Sequence, residues 1–321
     1  MKIMLHKRSS YLTLCFALAS IVTFWSCGTG DSSFRVPTQT ITLAKTMSPI
    51  NLLLEVAETQ HMWAQEAITI RDQVFPSARQ AMDAIVTNSS DMATVADTPL
   101  LIAEHRQPNL KLLCTLTASD YHLALVLRSS QIKPTCAGLK NKRIALAIGT
   151  TQQYFLDHYL NRDAAGCGIA VVNLTPVDAL TAFAEGTALD GLIAWEPQLS
   201  KALWRPGAVL VTADPFPEVF GLAYGPKSKL MDAGLRARAR RVLAHASQWV
   251  ELHPVETRNL LASSQQLPAD SAEALRQRYS FSIDREDQMI SGMAQQEQWA
   301  KEKGYIDSIF GTNELRRILG R

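Results

Sequence analysis

Segments with strand character and segments with helix character take turns along most of this chain, and that alternation constrains its fold more than any other feature. Thr40–Ala44, Ala67–Val74, Asp91–Ala96 and Leu110–Leu116 read as strands. Between them Pro49–Gln60, Ser77–Val86 and Pro99–Glu104 read as helices, with Pro49 in a first turn and Ser77 as an N-cap. A second set follows. Tyr121–Arg128, Lys142–Ile148, Ile169–Leu174 and Leu189–Trp195 are strands, and Thr151–Asn161 and Pro176–Glu185 are helices. From Lys227 onward the pattern is almost wholly helical. Two such sets predict an α/β protein of two lobes, each a mainly parallel sheet covered by helices, with a helical C-terminal tail and a cleft between the lobes. Ligand sites in such sheets lie at the carboxyl ends of the strands.

The N-terminus carries a different message. Lys2, Lys7 and Arg8 precede an apolar run from Tyr11 to Trp25, long enough for a signal segment and short of a membrane span. Ser26-Cys27-Gly28 and a polar stretch follow. The segment resembles a bacterial lipoprotein signal, which implies acylation at Cys27 and a membrane anchor on the extracytoplasmic side. Trp25 is bulky where such signals have a small residue. Cleavage nearby by ordinary signal peptidase and retention of the segment uncleaved are the alternatives. Three of the 32 Lys and Arg residues fall before Cys27, which leaves 29 basic against 30 acidic residues. That balance gives no support for a nucleic-acid surface.

The expected organisation is a signal segment over 1–27 and a Gly/Ser/Thr-rich tether over 28–38. One lobe is built from 39–119 and 221–321, and a second from 120–220. Cys114 sits in an apolar strand. Cys136 and Cys167 lie in polar connections and could pair in an oxidising compartment, or stay apart. The histidines are scattered, with no metal spacing.

Four strand-to-helix junctions carry the candidate binding groups: Thr46-Met47-Ser48, the stretch at Ser77, Asp97-Thr98, and Thr150-Thr151-Gln152. Helix N-termini favour negative or polar ligand groups. Taken singly, each Ser or Thr also reads as an ordinary cap. Asp97 reads either as a cleft acid or as the cap of the helix near Pro99. Trp195-Glu196-Pro197 ends a strand, so Trp195 would stack on a ligand and Glu196 would face a positive group. Tyr224 would close the cleft opposite, with core packing as the rival for both aromatics. The run Arg236-Ala-Arg238-Ala-Arg240-Arg241 is a solvated helix face or a docking surface for a membrane subunit.

The tripeptide Trp195-Glu196-Pro197 is similar to one in the solute-binding proteins of ABC importers for nitrate, sulfonates, taurine and thiamine-pyrimidine precursors. Asn88-Ser-Ser-Asp91-Met-Ala-Thr resembles the family's stretch before its second cleft loop. Leu139-Lys140-Asn141-Lys142-Arg143-Ile144-Ala145 resembles its entry to the second lobe, with Gly149-Thr150-Thr151 as the loop that follows. The resemblance covers about residues 40–260. It implies a type II periplasmic-binding-protein fold and a monomer without cofactor that carries a small molecule to an ABC permease and its ATPase. Asn141 stands where the family has Gly, Ser77 is followed by Ala, and Asp97 adds an acid to a neutral loop. With Glu196 it points to a ligand bearing an amine, or to a zwitterion. No GxSxG, Walker, GxGxxG or HExxH motif supports an enzyme. A ligand-sensing lipoprotein, or an enzyme of the same fold, are the alternatives to transport.

Overall fold

The computed structural model describes residues 37–160, 165–186, 189–211 and 215–319. The signal segment, Cys27 and the tether up to Val36 lie outside the described residues.

In chain order the first set is β1 (Gln39–Lys45), α1 (Leu52–Thr59), α2 (Met62–Gln65), β2 (Ile68–Val74), α3 (Ala78–Val86), β3 (Met92–Ala96), α4 (Asp97–Arg106) and β4 (Lys111–Ser119). The second set is β5 (Ala124–Leu127), β6 (Arg143–Leu146), α5 (Thr151–Tyr159), β7 (Ala170–Asn173), α6 (Pro176–Glu185), β8 (Gly191–Ala194), α7 (Gln198–Leu203) and β9 (Val209–Val211). The chain then returns through β10 (Glu218–Tyr224) and ends in α8 (Ala233–Leu252), α9 (Pro254–Gln265), α10 (Ala269–Arg278), α11 (Glu286–Glu302) and α12 (Thr312–Leu315).

These strands form two five-stranded sheets, ordered β2-β1-β3-β10-β4 and β7-β6-β8-β5-β9. The pairings around β1 and β6 are parallel, as helical crossovers require. Those around β10 and β5 are antiparallel. Strand β10 is the element the periodicity of the tail does not announce. It is buried along its whole length and sits centrally in the first sheet, although more than ninety residues separate it from β4. Gly221 lets it fit there, because a Cβ at that position would stand 2.8 Å from the Cys114 carbonyl oxygen.

Each lobe buries aliphatic faces on both sides of its sheet. Leu52, Leu53 and Val56 of α1 pack with Leu235, Val242 and Leu243 of α8 on one face of the first sheet. Met289, Ile290 and Met293 of α11 pack with Leu100 and Leu101 of α4 on the other. In the second lobe Phe155 joins Ile144 and Ile193, while Phe183 packs with Leu192 and Leu199. Asn141 adopts φ 60°, a left-handed turn that Asn tolerates. Cys136 and Cys167 form a disulfide with a Cα–Cα separation of 5.0 Å. Cys114 is buried and free.

The arginine run on α8 clamps the first lobe. Arg236 donates to the Leu230 and Met231 carbonyls, and Arg238 to that of Glu66. Arg240 donates to the Leu113 carbonyl and to Glu286, and Arg241 grips the Glu66 carboxylate with two donors.

Candidate ligand-binding site

A cavity lies between the two sheets, holding about 490 Å³ of space when its opening to solvent is included. The first lobe contributes Thr46, Ser48 and Ile50 after β1, Ser77 and Ala78 at the start of α3, and Ala96 and Pro99 where β3 meets α4. The second contributes Ala147, Thr150, Thr151 and Gln152 around the start of α5, and Trp195 after β8. His122 and Leu123 before β5, and Glu218 and Phe220 on β10, complete the wall. Junctions far apart in sequence therefore meet at one place, because all of them sit at strand ends that face the gap between the sheets.

The polar groups divide into those already engaged and those left open. Ser77 caps α3, its hydroxyl accepting from Gln80 N at 3.3 Å. Thr150 caps α5 in the same way through Gln152 N and donates to the Ala147 carbonyl at 2.7 Å. The Gln152 amide accepts from Ala147 N at 2.7 Å and donates to the Ile193 carbonyl at 2.8 Å, tying β6, α5 and β8 together. Ser48 is different: its hydroxyl is buried without a partner. Helix geometry also leaves the first N–H groups of α3 and α5 without intrahelical acceptors, so both ends favour an acceptor or an anion.

Several sequence candidates sit elsewhere. Met47 is 53% exposed and does not line the cavity. Asp97 is buried behind the wall, accepting from Thr98 N at 2.7 Å, while the Thr98 hydroxyl donates to Gln296 of α11. Desolvation is the main influence on Asp97 and lifts its carboxyl to about 6. Glu196 turns towards α7, its two oxygens accepting from Ser200 N at 3.0 Å and Ser200 Oγ at 2.9 Å. Tyr224 lies at the far end of β10, packed in the first-lobe core and lining a separate groove with Met231 and Arg236.

His122, Glu218 and Phe220 were not among the sequence candidates. The His122 ring stacks on Trp195, with centroids 5.7 Å apart and planes inclined by 17°, and sits 4.6 Å from the Phe220 ring. Its Nδ1 is 2.6 Å from the Tyr279 hydroxyl. Burial alone pushes His122 down to about 3, so the ring is neutral. Glu218 is buried, with Oε2 unpartnered. Burial, then the charge of Asp97, pushes it well above the usual carboxylate range. The signal available in sequence was the run Val219-Phe220-Gly221-Leu222-Ala223-Tyr224 after Pro217, whose composition suits a buried strand.

This is the fold of the periplasmic solute-binding proteins: two sheets of mixed strands, helices on both faces, and a cavity where the lobes meet. Solved structures of that fold superpose on most of the chain. The alkanesulfonate-binding protein SsuA from Xanthomonas axonopodis pv. citri bound to MOPS is 18% identical, with a TM-score of 0.69 over 84% of this chain and 95% of that one. The periplasmic nitrate-binding protein NrtA from Synechocystis PCC 6803 is 12% identical, with a TM-score of 0.65 over 88% and 85%. In sequence, a putative aliphatic sulfonates-binding protein from Escherichia coli is 29% identical over 137 residues. That match spans 41% of this chain and 42% of the relative's length. These relatives fall in the nitrate- and sulfonate-binding group that the Trp195-Glu196-Pro197 and Gly149-Thr150-Thr151 motifs resemble. No family model matches the chain.

Proposed function

We propose that this protein is an extracytoplasmic solute-binding lipoprotein. It captures a small polar molecule, amine-bearing or zwitterionic, between its lobes and delivers it to an ABC permease and its ATPase. It acts as a binder and not as an enzyme, is anchored through lipid on Cys27, and works as a monomer. The observation that carries the reading is the composition of the cavity wall. Both lobes contribute to it, hydroxyls and helix N-termini face it, and among the described residues no Lys or Arg lines it. Aromatic rings with a carboxyl group suit a cationic centre, and the helix N-termini suit an anionic one.

Thermal-shift screening with amines, sulfonates, pyrimidines and amino acids tests the capture step, since a ligand bound to the folded state raises its stability by mass action. A hit that contains an amine supports the reading. Stabilisation only by simple anions counts against the amine. Incorporation of radiolabelled palmitate that Cys27→Ser abolishes would support the anchor, and unlabelled wild-type protein would remove it.

A further inference from the structure

Glu218 opens β10 opposite Ser119 of β4 and is 1% exposed while lining the cavity. Its Oε2 has no hydrogen-bond partner. The charged neighbour felt most strongly there is another acid, Asp97. An ionised carboxylate so placed lacks both water and a counter-charge, which is strongly unfavourable, so the empty protein keeps the proton. The groups facing it from neighbouring elements supply no cation. His122 is neutral and held by Tyr279, Tyr279 stays protonated, and Glu196 is engaged with Ser200. Sharing the cavity wall with Glu218 are three rings, Trp195, Phe220 and His122, the last stacked on Trp195 and tilted against Phe220. Aromatic faces beside a carboxyl group form a recognisable environment for an ammonium ion.

We infer that Glu218 is the counter-ion for an ammonium group on the solute, held against Trp195 and Phe220, and that capture displaces the Glu218 proton. The inference rests on the amine-bearing ligand proposed above. When the solute arrives as R–NH3⁺, the Glu218 O–H gives its proton to solvent and the carboxylate pairs with the intact ammonium. When it arrives as the free amine, the same proton passes to the amine nitrogen and none is released. No other bond forms or breaks.

Isothermal titration calorimetry on the full chain in detergent micelles, at neutral pH, tests this with 3-aminopropane-1-sulfonate and propane-1-sulfonate, which differ only in the ammonium group. The wild type is expected to bind the amino compound at least about tenfold more tightly, and Glu218→Gln is expected to remove that preference. Repeating the titration in buffers of different ionisation enthalpy should show about one proton released per amino compound bound and none for its partner. That second measurement needs no variant and decides the matter if Glu218→Gln does not fold. A preference that survives in Glu218→Gln, or binding of the amino compound without proton release, overturns the role of Glu218 and leaves the amine-bearing ligand standing. Equal or tighter wild-type binding of propane-1-sulfonate, or heat from neither probe, overturns both.

Discussion

Lys303, at the end of α11, places its ammonium 2.9 Å from the Asp157 carboxylate on α5, an ion pair that crosses from the first lobe to the second. The same carboxylate accepts from the Trp299 indole N–H at 2.9 Å. Close by, the Tyr305 hydroxyl donates to Gln153 at 2.7 Å. Asp157 and Lys303 are both largely shielded from water, so their attraction is screened less than in a surface pair, while removing one partner leaves the other charge poorly solvated. Together these contacts hold the C-terminal helices of one lobe against the helix that opens on the cavity from the other.

Asp157→Ala therefore removes one end of a cross-lobe clasp. It removes the carboxylate that Lys303 and the Trp299 N–H share, at a cost of about 1–3 kcal/mol. A lower melting temperature is expected in calorimetry, with weaker capture of whichever solute the thermal screen identifies, because the arrangement that holds the two lobes together becomes less favoured. An unchanged affinity would mean that the clasp plays no part in capture.

Trp195 carries its ring at the cavity wall, stacked on His122. Trp195→Ala should weaken solute binding by roughly 1–2 kcal/mol, about tenfold, through loss of ring contact. Titration calorimetry of both proteins measures it. Full affinity in the variant would place the ligand away from this wall.

Asp97 gives a pH signature. Its carboxyl moves from 3.8 to about 6 on folding, so between those values the folded state holds more proton than the unfolded one. Stability contributed this way is present at acid pH and lost as pH rises through about 6. Asp97→Asn keeps an acceptor for Thr98 N and should be more stable than the wild type at pH 8 by at most roughly 3 kcal/mol. The gap should close below about pH 4. His122 acts in the opposite sense. Its folded value of about 3 against 6.5 makes stability fall as pH drops through that window, and the variant weakens the opposing slope, to which the raised carboxyl of Glu218 still contributes. Chemical denaturation from pH 3 to 8 measures both. Equal stability at pH 8 would contradict the burial argument for Asp97.

The Cys136–Cys167 disulfide closes a loop with a separation of 31 residues. Replacing both with Ser should lower stability by roughly 3–4 kcal/mol in the chain-entropy account. A reductant should shift the wild type to the same midpoint. Absence of any shift with reductant would mean that the pair contributes nothing to stability.

Much of the architecture was legible because it is local. Pro176–Glu185 is a helix with the same bounds in sequence and structure, and Ser77 caps α3 through the hydroxyl that its position predicts. The strand-to-helix junctions at Thr46, Ser77 and Thr150 were readable for the same reason. What stayed hidden depends on contacts distant in sequence. The place of β10 depends on pairing with β3 and β4 from the far side of an entire lobe. Without it, neither Glu218 nor Phe220 could be assigned to the cavity. The two acids that do stand out in sequence, Asp97 and Glu196, are engaged with Thr98 and with Ser200. A side chain's type suggests its chemistry, but only its neighbours determine whether its lone pairs are free.

Capture of a small solute between the lobes needs free space at the cavity wall. Ala78 lines the cavity at the first position of α3, where a larger side chain would occupy the space a ligand needs. The thermal shift produced by the screened solute should therefore be present in the wild type and absent in Ala78→Trp, with the variant's own unfolding still cooperative. A shift of undiminished size in Ala78→Trp would mean that the solute is not captured between the lobes at this cavity.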